Sequence, residues 1–280
     1  MLEKLITPKR VGSFLNLLAS IWPSLAGMLS FRLFCTPRDG RNFSNKDKRF
    51  LSAAKKEKIA MTGFEVQTYE WEGNGKKILL AHGWDSNVAR WRALLPVLQK
   101  ENYSIIALDA PAHGKSGPKL ANGVIYAEAI GKLVEKYKPD YVLGHSFGGM
   151  AAAYYFADPS SRKVEKLILM GTPSRLSSVM TTFNEVLGLN EKSQKATART
   201  FEEKIGFPVE YFSVERYIQQ VKLAGLIMHD KHDPVAPYSQ ARAIHENWEG
   251  SDFYETEKLG HSMQAGSVFK RILAELKGEG

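Results

Sequence analysis

Cysteine is almost missing: Cys35 stands alone in 280 residues, which excludes an intramolecular disulfide and any cysteine-based metal cluster. Nothing in that usage points to an oxidising compartment, so the expected location is cytoplasmic. Internal repeats and low-complexity stretches are lacking too. Beyond residue 58 there is no excess of either charge, because 26 basic residues face 26 acidic ones. A body of zero net charge offers no surplus to neutralise phosphates, which argues against nucleic acid as a partner of that region. The net charge of +8 belongs to residues 1–58, where twelve Lys and Arg meet four Asp and Glu.

A clean hydrophobic span is lacking as well. The 21 residues from Val11 to Phe31 carry no charge and follow Lys4, Lys9 and Arg10. Their pattern is nevertheless helical and one-sided. Phe14, Leu17, Leu18, Ile21, Trp22, Leu25, Met28 and Leu29 form a stripe, Ser13, Asn16, Ser20 and Ser24 lie off it, and Pro23 interrupts. A spanning helix is usually apolar all round, and no good small-residue cleavage site follows. The favoured reading is one or two helices packed on the body. Peripheral membrane contact through this arm, which would make the protein membrane-associated, and a true span are the other two readings. Residues 36–58 read as a loop and a solvated helix, so a basic N-terminal helical arm is expected over 1–58 and a second domain over 59–280.

What is present is an ordinary globular composition, 44% hydrophobic and 24% charged, in a chain long enough for one large α/β domain. From residue 64 strand and helix patterns alternate, which predicts a mainly parallel sheet covered on both faces. Strands are expected at 64–71, 77–81, 104–108, 141–143, 166–170, 223–228 and 252–258. Helices are expected at 87–100, 125–137 and 269–276. The strands at 166–170 and 223–228 lie roughly fifty residues apart, far more than a usual connection. The insert, about 174–220, reads as two or three helices. It is either an extra layer with its own small core or, the favoured reading, a lid over the strand ends.

The most informative stretch is Tyr141-Val142-Leu143-Gly144-His145-Ser146-Phe147-Gly148-Gly149-Met150. An apolar run ends in Gly-x-Ser-x-Gly and small helix formers follow, which describes a strand, a tight turn and a helix with Ser146 at the apex. A serine hydroxyl needs a base to take its proton, and the base needs an orienting acid. Of seven histidines, His261 in Leu259-Gly260-His261-Ser262 directly follows the last strand and is the expected base. The acid is sought where strand 223–228 enters a turn. There Asp233 before Pro234 is favoured, with Asp230 as its rival, because Gly171-Thr172-Pro173-Ser174 after strand 166–170 holds no carboxylate. The backbone N–H groups of Phe147, after the nucleophile, and Trp84, in His82-Gly83-Trp84, are the expected oxyanion donors. His82 is read as structural support.

These segments together resemble the α/β-hydrolase superfamily over about residues 64–275. The motifs are His82-Gly83-Trp84, Asp109-Ala110-Pro111-Ala112-His113-Gly114-Lys115-Ser116, Gly144-His145-Ser146-Phe147-Gly148-Gly149, His229 to Pro237, and Gly260-His261-Ser262. The family order of Ser, acid and His is obeyed. Ala112 and Asp230 stand where many members have glycine. The resemblance implies the α/β-hydrolase fold, an eight-stranded and mostly parallel sheet with a helical cap after the sixth strand, and no cofactor or metal. Serine at position 146 argues against the dehalogenase and epoxide-hydrolase branches, which carry aspartate there. The implied activity is that of a serine hydrolase, first of all a carboxylesterase acting on a small-molecule ester or acyl substrate. Cleavage of a C–C bond, a thioester or an amide by the same triad is the alternative. A non-catalytic binding protein on this fold is a further one.

Overall fold

The computed structural model describes residues 7–279, so the start of the basic arm, with Lys4, lies outside the described residues. The chain opens with α1 (Pro8–Ile21), α2 (Pro23–Phe34) and α3 (Asn45–Ser52). Then come β1 (Lys55–Ala60), β2 (Glu65–Trp71), β3 (Lys77–Ala81), a 3₁₀ turn (Val88–Arg92), α4 (Leu95–Lys100) and β4 (Ser104–Leu108). The centre holds α5 (Gly123–Tyr137), β5 (Tyr141–His145), α6 (Phe147–Phe156) and β6 (Lys166–Met170). After α7 (Leu176–Leu187), α8 (Glu191–Ile205) and α9 (Val214–Tyr217), the chain closes with β7 (Ala224–Asp230), α10 (Tyr238–Glu246), β8 (Ser251–Thr256) and α11 (Gly266–Lys277).

Two compact units result, one from residues 37–174 with 214–279, the other from 7–36 with 175–213. The larger unit is built on one eight-stranded sheet in the order β1-β2-β4-β3-β5-β6-β7-β8. β1 pairs with β2, and β2 with β4, antiparallel; every other pair is parallel. Leu79, Leu80, Ile106, Val142, Leu143 and Ile168 are fully buried, as expected of strands covered on both faces. β1 falls inside the stretch read as a loop and a solvated helix. Its sequence Lys-Lys-Glu-Lys-Ile-Ala exposes all but Ile59. It is an edge strand, and the lysines that discourage further pairing there also erase the alternation that would mark a strand. The expected single helix at 87–100 is instead a 3₁₀ turn and the short α4, divided where Pro96 requires a helix start.

In the smaller unit, the N-terminal helices share a core with the insert helices. Leu15 of α1 is buried with Leu187 and Leu189, and Val11, Leu29, Leu33 and Phe183 pack around them. Phe31 meets Phe201 edge to face at 6.2 Å, and Phe34 meets Phe183 at 5.1 Å. A Cβ on Gly27 would sit 2.4 Å from the Ala196 carbonyl, so only glycine lets α2 lie this close to α8. Asn16, read from the sequence only as an off-stripe polar residue, donates to Gly188 O at 2.8 Å and accepts from Asn190 N at 2.8 Å. It thereby satisfies the turn between α7 and α8. Among the described residues no helix is long and apolar enough to cross a membrane.

Candidate active site

Ser146 lies between β5 and α6 with φ 52° and ψ −118°, a left-handed conformation that costs a non-glycine residue energy. The surrounding structure holds it there. Ser146 N donates to Met170 O of the neighbouring strand at 2.9 Å. A Cβ on Gly148 would come within 2.4 Å of Ala81 O, so the first turn of α6 is pressed against the end of β3. The same closeness recurs at Gly83, where a Cβ would lie 2.9 Å from Ser146 Cβ. The loop carrying Trp84 is thus brought directly against the serine, and the Trp84 and Phe147 rings meet at 5.4 Å. Phe147 is the first residue of α6, where an amide has no acceptor within its own helix.

His261 and Asp233 come together although 28 residues separate them: His261 Nδ1 donates to Asp233 Oδ2 at 2.8 Å. The other oxygen, Oδ1, accepts from Val235 N at 2.8 Å and Ala236 N at 2.9 Å, which fixes the carboxylate plane. Burial works to raise the Asp233 pKa. The hydrogen bond from His261 and the two backbone donors outweigh it, and the carboxyl is held below its usual value. Asp230 serves elsewhere. It is fully buried and accepts from His232 N, Thr256 Oγ1 and Leu259 N, tying the end of β7 to the loop that leads to His261. The His261 ring lies beside Gly171, whose imagined Cβ is 3.5 Å from His261 Cε1, immediately after the Met170 that receives Ser146 N–H.

Two residues given no role on sequence hold the His261 loop. His145 Nε2 donates to His261 O at 2.9 Å, and Arg90 Nη2 donates to Ser262 O at 2.7 Å. Consecutive carbonyls of one loop are gripped from β5 and from the turn after β3. Each partner is a backbone oxygen more than a hundred residues away, a kind of contact that leaves no trace in sequence patterning. Burial lowers the Arg90 pKa to about 9. Asp109, at the end of β4, braces the segments after β3 and β4 instead. It accepts from Val88 N, Lys115 N and the Tyr69 hydroxyl, while burial pushes its pKa up to about 6. Among the described residues no group of three or more His, Cys, Asp or Glu is arranged to hold a metal ion.

Two histidines of this unit are locked in the neutral form by the N–H groups that their rings accept. His82 donates from Nδ1 to Gly83 O and accepts Ala110 N–H on Nε2. His113 donates from Nδ1 to Pro111 O and accepts Asp85 N–H on Nε2. A ring nitrogen that accepts carries no proton. Burial drives the pKa of His82 and His145 well below the usual value and that of His113 to about 4. Below about pH 6.5 the unfolded chain therefore takes up protons that the folded chain refuses, so stability falls with pH. Each of the three histidines contributes to the loss as pH falls, and the raised Asp109, protonated first in the folded state, returns part of it. The melting temperature is expected to drop by roughly 10 °C between pH 7.5 and 5, measured by scanning fluorimetry. A flat or rising profile would contradict neutral burial.

The eight-stranded, mostly parallel sheet with its helices matches a known fold. The model of the alpha/beta hydrolase fold family matches residues 76–210. An esterase from Exiguobacterium antarcticum superposes with a TM-score of 0.64 at 19% identity, covering 80% of this chain and 100% of that one. The chain has the α/β-hydrolase fold. A serine hydrolase-like protein of Homo sapiens is 32% identical over 124 residues, 41% of this chain and 60% of that protein. One of Danio rerio is 26% identical over 166 residues, 55% of this chain and 49% of that protein. The match therefore spans about half the length of these curated relatives. Within this fold, β1 and β2 form the antiparallel edge, and Ser146 follows the fifth strand, near the middle of the sheet.

Proposed function

We propose that this α/β hydrolase is a serine hydrolase that cleaves a carboxylic ester through a covalent acyl-enzyme. The observation that supports it most is the 2.8 Å bond from His261 Nδ1 to Asp233, which leaves Nε2 as the nitrogen that accepts a proton. Ser146 Oγ attacks the ester carbonyl as His261 Nε2 takes the hydroxyl proton. Asp233 remains ionised and stabilises the imidazolium. The N–H groups of Trp84 and Phe147 donate to the oxyanion. Collapse expels the alkoxide, which leaves as the alcohol with the proton from His261. A water, deprotonated by the same imidazole, then releases the acid and restores Ser146.

The helical insert leaves the sheet unit at Ser174, just past the end of β6, and returns at Val214, whose N–H donates to Ser174 O at 2.6 Å. The test is a fluorophosphonate probe followed by a panel of p-nitrophenyl esters of increasing chain length. Mass spectrometry should find the adduct on Ser146, and the panel should show a chain-length optimum. Labelling without ester turnover would move the substrate to a thioester, an amide or a C–C bond. Absence of any adduct would favour a binding protein.

A further inference from the structure

The outer face of α1 is apolar although its inner face already supplies a core. Gly12, Leu15 and Ala19 are buried. Phe14, Leu17 and Ile21 follow Arg10 at the four- and three-residue spacings that keep side chains on one narrow stripe, opposite the buried one. Ile21 is 72% exposed, Leu17 65% and Trp22, at the corner before α2, 65%. Met28 of α2 is exposed as well, so five of the eight exposed large hydrophobics in the described residues belong to this helix pair. Among the described residues, packing explains none of the five.

The polar groups of the stripe's border suit an apolar neighbour. Ser13 Oγ donates to Lys9 O and Ser20 Oγ to Asn16 O, so neither hydroxyl depends on water. Between residues 7 and 36 no carboxylate stands, Arg10 is in register with the stripe and Arg32 follows exposed Met28 by four residues, while Lys9 Nζ is turned to Glu185 O at 2.6 Å. A second copy would set this positive face against its own like charge. An anionic lipid surface offers both complements, negative headgroups for the cations and acyl chains for the stripe.

We propose that the α1–α2 corner docks on an anionic phospholipid surface, with α1 lying in the interface plane and Trp22 at headgroup depth. The interaction is reversible and peripheral. It does not depend on the catalytic reading, and it is tested separately from it.

The test is flotation of the full chain carrying Ser146→Ala, which keeps lipid intact, with phosphatidylcholine vesicles with and without phosphatidylglycerol. Binding is expected on the anionic vesicles and to be at least about tenfold weaker on the neutral ones. In the same background Leu17→Ser with Ile21→Ser should weaken it about tenfold per substitution. In the native chain that pair should leave melting temperature and soluble-ester turnover as they were. Brominated acyl chains should quench fluorescence that Trp22→Phe removes. Failure of the full chain to float, or equal flotation of the double variant, overturns the proposal. A concentration-dependent dimer abolished by the double variant, without flotation, overturns it in favour of a second copy.

Discussion

Replacing Ser146 by alanine is expected to lower kcat for a short p-nitrophenyl ester by about 10⁴- to 10⁶-fold, with residual catalysis only from the donors around the oxyanion. The size of the loss follows from the mechanism, since no other hydroxyl occupies the turn between β5 and α6. Folding is expected to persist. Alanine keeps the Cβ that abuts Gly83 and bears the same strain at φ 52°. Ser146→Gly would also be inactive but should melt higher, since glycine adopts that conformation without the Cβ penalty. Stopped assays and thermal melts on the two variants separate chemistry from strain. Wild-type turnover in Ser146→Ala would remove the serine mechanism altogether.

Asp233→Asn is expected to lower kcat about 10³- to 10⁴-fold, because an amide can present N–H to His261 Nδ1 and favour the unproductive tautomer. Asp230→Asn should behave differently. Asp230 accepts from three donors that tie β7 to the loop before His261, so its loss should cost roughly 1–3 kcal/mol of stability. Its kcat should fall far less than that of Asp233→Asn. Measuring kcat and the urea midpoint of both variants decides the matter, and an inverted ranking would transfer the acid role to Asp230.

Much of this was readable along the chain because the deciding interactions are local. Gly-x-Ser-x-Gly after an apolar run requires neighbours only, and the turn it predicts is present at Ser146 with the positive φ that such a turn demands. The buried parallel strands were legible for the same reason, as apolar runs bounded by turn residues. The edge strand β1 was not, since solubility at a sheet edge selects the lysines that hide it. The arm shows the difference most clearly. Its stripe correctly marked helices, yet the residues buried on α1 include Gly12 and Ala19, and Phe14, Leu17 and Ile21 of that stripe face outward. Periodicity reports that a helix has two faces, and a helix apolar on both does not say which one packs.

The sequence by itself determined the fold class, the Gly-x-Ser-x-Gly turn at Ser146, and the order in which Ser146, Asp233 and His261 follow one another. Each is written in residues that lie close together or in simple succession. The tertiary structure alone decided which of two aspartates three residues apart reaches His261, and that His145 and Arg90 hold its loop. It alone decided that the N-terminal helices share a core with the insert at 175–213. The reason is physical: those outcomes depend on hydrogen bonds and close contacts across 28 to more than 170 residues. The partners that hold Asn16 and the His261 loop are backbone carbonyls and amides, which no sequence pattern distinguishes.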